Sequence, residues 1–416
     1  MRPLKVVVVG GGAAGFFSAI TAAIANRHAQ VTIIEASRQP LAKVRISGGG
    51  RCNVTHACFD SSVLVQNYPR GGKALLGAFT RFQPKDTVAW FANRGVELKT
   101  EADGRMFPIT DSSETIVNCL MNAVKAYSIE LHTGVPVVSA RSLQSTRAQF
   151  ALELKSGEIL ECDRLLLATG SNPAGYKIAQ NLGHKIEPPV PSLFTFNIPE
   201  PKLLELAGVS VESVRLRLSV PGKPPLEQIG PLLITHWGLS GPAVLKLSAW
   251  GARVLRSSNY QATLTIDWLP HLQHEELRKN LLAVKNEWGR KPIGLHRGVN
   301  LPHRLWQYII SRVGIAKEDR WAELSGKALN QLLQELSQAQ YFVNGKGAFK
   351  EEFVTCGGVN LKEVNFQTME SKLVPGLYFA GEILDIDGVT GGFNFQSAWT
   401  TGDLAGLGAV RDPRLL

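Results

Sequence analysis

Lys5-Val6-Val7-Val8-Val9-Gly10-Gly11-Gly12-Ala13-Ala14-Gly15 decides the fold class. The β-branched run Lys5 to Val9 reads as a buried parallel strand. Gly10, Gly12 and Gly15 then form a G-x-G-x-x-G. Gly10 permits a tight turn, Gly12 lets backbone approach a pyrophosphate, and Gly15 lets helix and strand pack closely. An Ala- and Ile-rich helix follows from Ala13 to about Asn26, so the first N–H groups, from Ala13 and Ala14 onward, face the phosphates. A second strand, Gln30 to Ile34, ends at Glu35 with Ala36 beside it. Glu35 lies twenty positions past Gly15, where an acid accepts hydrogen bonds from adenosine ribose hydroxyls and repels a 2′-phosphate. Strand, turn, helix, strand and acid together predict a dinucleotide-binding α/β unit.

Three further stretches favour FAD over NAD as the resident dinucleotide. Arg164 to Leu167 is an apolar strand leading into Ala168-Thr169-Gly170. It resembles the short A-T-G motif of flavoproteins with two dinucleotide-binding domains. Leu377 to Phe379 leads through Ala380 into Gly381-Glu382, which resembles the closing FAD motif of that superfamily, whose acid contacts the ribityl–pyrophosphate region. Gly388-Val389-Thr390-Gly391-Gly392-Phe393-Asn394 opens a helix running to about Leu407. The positive end of its dipole would stabilise an anionic reduced flavin; the plainer reading is a glycine turn with an Asn cap. The chain carries one full dinucleotide fingerprint, so no separate NAD(P)H domain is expected.

Lys43-Val44-Arg45-Ile46-Ser47-Gly48-Gly49-Gly50-Arg51-Cys52-Asn53-Val54-Thr55 is more specific. It resembles the hallmark of the BaiN-like or YhiN-like (aminoacetone-oxidase-like) bacterial flavoprotein family. Gly104 to Pro108, Pro191 to Leu193, Thr235 to Ala243, Thr355 to Val359 and Pro375 to Trp399 also resemble that family, in the same order along the chain. The resemblance implies a Rossmann-like FAD domain interrupted by an inserted β-rich, flattened-barrel domain and a small helical one. The expected boundaries are 1–195 and 341–416 for the FAD domain, 196–270 for the β-rich insert and 271–340 for the helical one. The patterning agrees with such elements. Val214, Leu216 and Leu218 alternate with Arg215, Arg217 and Ser219, as in a half-exposed strand, and Ala262 to Leu269 alternates similarly. His274 to Trp288, Leu301 to Val313 and Ser325 to Leu336 read as amphipathic helices.

The loop Ser47 to Asn53 is the best candidate to line a flavin. Gly48, Gly49 and Gly50 offer backbone N–H groups without bulk. Arg51 is placed to offset pyrophosphate or reduced-flavin charge, and Asn53 to hydrogen-bond the ring edge. Cys52 has two readings, a thiol acid or redox partner and a small packing residue; the second is favoured, because free cysteine is commonly buried and inert. His236 is a candidate proton donor to the reaction, or a structural histidine. Of Asp385 and Asp387, one is expected at the ribityl chain or a flanking N–H and the other as a turn acid; Asp387 is taken as the cofactor contact. By resemblance, the backbone of Val137 meets the adenine edge.

The chain has 416 residues, 44% of them hydrophobic, which suits two or three domains with sizeable cores. The Val6–Val9 run is too short to span a bilayer and leads straight into glycines rather than a leader-cleavage site. Five scattered cysteines argue against a disulfide framework and for a reducing, cytoplasmic setting. No Cys/His spacing suggests zinc, and no metal is expected. The net charge is +10, and residues 202–327 hold 18 Lys and Arg against 10 Asp and Glu. That segment is either an ordinary solvated basic surface or a face for an anionic partner such as RNA.

The expected chemistry is hydride transfer at flavin N5, as a reductase with NAD(P)H as transient donor. The resemblance implies reactions of that kind: reduction of steroid-like enones, reduction of uracil in ribosomal RNA to dihydrouridine, and amine oxidation with O2; the alternative from another class is a non-catalytic FAD-binding protein. In the RNA case Arg215, Arg217, Lys223, Arg290, Lys291, Arg297 and Arg304 would meet phosphates. The partner is thus a small molecule or ribosomal RNA, with no membrane, and the sequence leaves the oligomeric state open.

Overall fold

In the computed structural model, residues 2–143, 148–347 and 354–411 are described. The chain divides into two compact units, Met1–Pro189 with Val354–Leu416, and Val190–Phe353.

The first unit is organised on a seven-stranded sheet. Its five parallel strands lie in the spatial order Glu130–Thr133, Gln30–Glu35, Lys5–Val9, Arg164–Leu167 and Leu377–Phe379. Two short antiparallel strands, Glu370–Ser371 and Val364–Asn365, extend the last edge. Val6 to Val9 are buried, as a central strand covered on both faces requires. Two strands on one side of Lys5–Val9 come from the early chain. On the other side the neighbours are Arg164–Leu167 and, some 200 residues later, Leu377–Phe379. The unit is therefore assembled from both ends of the sequence.

Helix packing joins the same two ends. Ala13–Ala25 lies against the C-terminal helix Phe393–Val410 at a spacing that only small residues allow. A Cβ at Gly406 would fall 2.3 Å from the Ser18 carbonyl oxygen, and one at Gly402 2.9 Å from that of Ala14. Thr21 Oγ1 donates to Asp403 Oδ1 across the seam at 3.0 Å. Beneath the C-terminal helix runs a polar network. Gln396 Oε1 accepts from Thr55 and Thr87, Gln396 Nε2 donates to Thr400, Thr400 donates to the Phe82 carbonyl, and Trp399 Nε1 donates to the Val54 carbonyl.

The second unit is a closed antiparallel barrel with helices. Its strands run in the order Phe196–Asn197, Gly238–Ser240, Leu226–Thr235, Ser210–Ser219, Gln261–Asp267 and Ala339–Asn344. The edges meet through Asn197 N–H donating to the Gly345 carbonyl (3.0 Å) and Gly347 N–H to that of Thr195 (2.8 Å). Closure removes the exposed strand edges. Along Ser210–Ser219 the alternation from Val214 onward is as read from the sequence. Val211 is buried too, because a bulge between it and Val214 resets the phase. The helices His274–Glu287, His303–Arg312 and Gly326–Gln338 correspond to the three amphipathic stretches. The resemblance implied a border at 270/271; the buried residues from Phe194 to Val343 form one continuous cluster. The helices have their apolar stripes in that shared core, and Trp268 N–H donates to the Leu336 carbonyl at 2.9 Å.

Candidate dinucleotide site

At the carboxyl end of Lys5–Val9 the turn has the geometry its glycines predict. Gly10 has φ +114°, and a Cβ there would fall 2.3 Å from the Ala168 carbonyl oxygen. A Cβ on Gly15 would meet the Gly10 carbonyl oxygen at 1.9 Å, which fixes strand–helix contact. By contrast, a Cβ on Gly12 would meet nothing within 4 Å. Gly12 is the N-cap, and no side chain caps the helix. Its first N–H groups, from Ala13 and Ala14 onward, are thus free of a side-chain cap and accessible to an anion. Glu35 Oε2 accepts from Gly11 N–H (2.5 Å) and Oε1 from Ser37 N–H (2.7 Å), which anchors the acid at its strand end. Ala36 is exposed beside it.

The signature loop follows a helical turn begun at Ala42. Backbone from Gly48 to Gly50 runs through positive φ (57°, 69° and 85°), and Cβ atoms at Gly49 and Gly50 would meet nothing. Ser47 Oγ donates to the Val44 carbonyl. Arg51 lies over the Phe107 ring at 4.0 Å and donates to Glu101 Oε1 at 2.7 Å, with Asp111 at 3.6 Å. The guanidinium offered to a pyrophosphate is engaged by two acids of its own unit. Cys52 is wholly buried, with φ +61°, and burial pushes its thiol up to about 12. A thiol in that state is a poor proton donor or nucleophile near neutral pH. In the amide orientation that satisfies both neighbours, Asn53 donates to the Thr55 carbonyl and accepts from Gly392 N–H at 2.9 Å. Its amide thus links the loop to the start of the C-terminal helix, where the sequence reading had aimed it at a ring edge.

Glu382 is where distant motifs converge. Lys43 Nζ donates to its Oε2 at 2.7 Å, and Thr355 N–H to its Oε1 at 2.9 Å. A Cβ on Gly170 would lie 3.6 Å from Oε2. Gly381 (φ +74°) sits against Ala14 of the first helix, where a Cβ would come within 2.7 Å of Ala14 Cβ. Ala168 N–H donates to the Val9 carbonyl, and Thr169 Oγ1 is buried without a hydrogen-bond partner among the described residues.

The two aspartates serve the protein's interior. Asp385 Oδ1 accepts from Gly357 N–H at 3.1 Å. Asp387, taken from sequence as the cofactor contact, has no solvent exposure and is gripped by the Arg70 fork, with Nε to Oδ1 at 2.5 Å and Nη2 to Oδ2. At the helix start, Gly392 has φ +90° and provides no side-chain cap, and a Cβ there would fall 2.5 Å from the Thr55 carbonyl oxygen. Gly391 has φ +129°. Phe393 stacks on His56 (4.7 Å, 19°), and Asn394 closes the turn by bonding both the N–H and the carbonyl of Gly388. Val137 is buried at the start of the strand Val137–Ser142. His236 belongs to the other unit. It is exposed in the turn between Leu226–Thr235 and Gly238–Ser240, its ring edge-on to Trp237.

Sequence reasoning missed Thr355 as a backbone donor to Glu382 and His56 as the partner of Phe393. Thr355 lay inside one of the family-like stretches but had no assigned role. His56 carries no local signal. Among the described residues no three His, Cys, Asp or Glu side chains form a metal-holding group, and no helix is long and apolar enough to cross a membrane. All five cysteines are free thiols.

The uncapped helix start at Gly12, the open directions at Gly12, Gly49 and Gly50, and the unpaired Thr169 hydroxyl fit a bound dinucleotide. The HI0933-like protein Rossmann domain family matches residues 4–408. The 3-dehydro-bile acid Δ(4,6)-reductase of Clostridium scindens is 28% identical over 422 residues, covering 98% of this chain and 100% of that protein. The ribosomal RNA dihydrouridine synthase of Escherichia coli is 30% identical over 413 residues, 96% of each chain. In fold, the chain is similar to 3-ketosteroid Δ1-dehydrogenase from Sterolibacterium denitrificans, with a TM-score of 0.50 at 12% identity over 98% of this chain and 99% of that one. With a match running from the first strand into the last helix, the chain belongs to the HI0933-like Rossmann-domain family, and with it to the FAD-dependent oxidoreductases.

Proposed function

We propose that this protein is a reductase that holds FAD in the first unit, takes electrons from NAD(P)H and passes them to an unsaturated small-molecule substrate. The observation that carries this reading is the convergence on Glu382. Lys43, Thr355 and Gly170 come from three separate segments and meet one acid just past the carboxyl end of Leu377–Phe379, beside the Gly10–Gly15 turn. When bound, FAD supplies hydride transfer at N5. The residues of the chain bind and orient it. The first turn of Ala13–Ala25 and the glycines at Gly49 and Gly50 receive the diphosphate arm, and Glu35 receives the adenosine ribose. The start of the helix at Gly392 favours negative charge near the flavin. Cys52 has no part in proton transfer, and His236 is the proton-donor candidate. A bile-acid reductase among the relatives supports the direction of the reaction. Five free thiols support work in a reducing cytoplasm.

Anaerobic mixing of the FAD-loaded protein with NADH or NADPH tests the reading. Bleaching of the flavin absorbance, and its return on adding a conjugated enone, is expected. A flavin that stays oxidised with both nicotinamides would sink the donor assignment.

A second reading rests on charge. The excess of eight cationic residues in 202–327 suits a polyanion, and a relative at 30% identity acts on ribosomal RNA. In that case the substrate is a uracil in RNA. Filter binding of ribosomal RNA fragments across a salt series decides it, since phosphate contacts must weaken steeply as salt rises.

A further inference from the structure

Tyr176 lies in the helix Pro173–Asn181, directly after the Ala168-Thr169-Gly170 turn. Its side chain is 6% exposed, and its hydroxyl has no hydrogen-bond partner among the described residues. Several other buried hydroxyls of this unit are bonded. Tyr68 donates to the Phe393 carbonyl, Thr55 and Thr87 to Gln396, Thr401 to the Ser397 carbonyl, and Ser18 to the Ala14 carbonyl. Tyr176 and Thr169 are two that lack a partner among the described residues, and they stand close in the sequence, at the turn and in the helix that follows it. A Cβ on Gly175 would fall 1.8 Å from Thr169 Oγ1, so the residue before Tyr176 packs on the Thr169 side chain. The same helix packs against Val354–Val359, whose Thr355 N–H is held by Glu382. Burial, with the carboxylates of Glu382 and Asp385 nearby, pushes the Tyr176 hydroxyl far above its ordinary range, so it remains a donor at any physiological pH.

A buried hydroxyl without a partner costs free energy, and native interiors rarely leave one so. Two within one turn and the helix after it, with Glu382 near both Gly170 and Tyr176, are suited to a ligand that completes them. We propose that Tyr176 is a binding residue for FAD, its hydroxyl donating to an acceptor atom of the bound cofactor beside Thr169. The inference rests on the reading of this site as an FAD site.

FAD titration of the apoprotein, followed by flavin fluorescence, tests it in the wild type, Tyr176→Phe and Thr169→Val. Loss of one hydrogen bond predicts about tenfold weaker FAD binding for Tyr176→Phe. The midpoint of thermal unfolding of its apoprotein should stay level or rise, because the variant deletes a buried polar group that no described residue satisfies. Thr169→Val, nearly the same shape, should weaken FAD binding several-fold with the same sign on the apoprotein. Equal FAD affinity in Tyr176→Phe and wild type overturns the inference alone. So does weaker binding matched by a lower apoprotein midpoint, since that marks a structural role. A wild-type chain that takes up no FAD overturns the reading of the whole site and the inference with it.

Discussion

The interiors of the two units are built from different materials. In the first, buried side chains include Thr55, Thr87, Asp385, Asp387, Gln396, Thr400 and Thr401. Among the described residues of the second, the buried polar ones are Ser192, Thr195 and Ser248, and the rest of the core is aliphatic and aromatic. A polar interior is costly unless every group is matched, and it then specifies one arrangement. An apolar core tolerates exchange among residues of similar volume. The contrast places the demand for exact positioning in the unit that holds the dinucleotide motifs, and leaves the second unit to present a surface.

Replacements that conserve volume should expose the difference most strongly. Arg70→Met keeps much of the bulk but leaves Asp387, with no solvent exposure, without its fork. Breaking a buried pair from one side costs about 3–5 kcal/mol, so urea unfolding should show a loss of that order. Leu264 is equally buried, on the barrel strand Gln261–Asp267. Leu264→Met should cost less than about 1.5 kcal/mol, whereas Leu264→Ala should cost about 2–5 kcal/mol through the cavity it leaves. If Arg70→Met and Leu264→Met cost the same, the distinction between the two interiors fails.

Those residues also show what could be read from the chain and what could not. Gly10, Gly12, Gly15 and Glu35 were legible because a tight turn, a close approach and a strand-end acid each demand a residue type at a set spacing. The barrel strands and the helices were legible through periodicity. Arg70 and Asp387 stand 317 positions apart, and Lys43 and Glu382 stand 339 apart. No local pattern pairs them, since the partner of a charge is chosen by the tertiary fold. Asn53 and Arg51 were expected at the cofactor, but their side chains turn to Gly392 and to Glu101. The single core of the second unit was hidden because an amphipathic stripe announces that it will be covered, not by what. Closure of the barrel rests on backbone groups of residues 345–347, which have no side-chain signature.

A smaller effect probes the polar seam through pH. Asp403 faces Thr21 between the first and last helices, and burial raises its carboxyl from 3.8 to about 6, opposed by Thr21 and Arg81. A raised acid binds its proton more tightly in the folded state. Its favourable contribution is therefore full below about pH 4 and is lost as pH rises to about 6. Asp403→Asn removes the charge and retains an acceptor for Thr21. It should be more stable than wild type by about 1–2 kcal/mol at pH 7, with the gain shrinking towards pH 4. Urea midpoints at the two pH values measure it. A gain that does not change with pH would mean that the carboxyl titrates normally and the seam is wetter than its burial implies.

The smallest expected effect on stability is on the outer face of the barrel, and it separates folding from binding. Arg215 and Arg217 project outward from Ser210–Ser219, 3.8 Å from Asp267 and 3.7 Å from Glu227, with side chains 46% and 54% exposed. Exposed pairs at such distances contribute about 0–1 kcal/mol. Arg215→Gln with Arg217→Gln should therefore leave the urea midpoint almost unchanged. If this face meets RNA, the double variant should bind ribosomal RNA fragments more weakly and with a flatter dependence on salt, by about one counterion for each arginine that touches a phosphate. If the substrate is a small molecule, neither quantity moves, and the basic surface is solvation alone. Either result assigns the second unit's charge, because its apolar core keeps the fold indifferent to what those two arginines do.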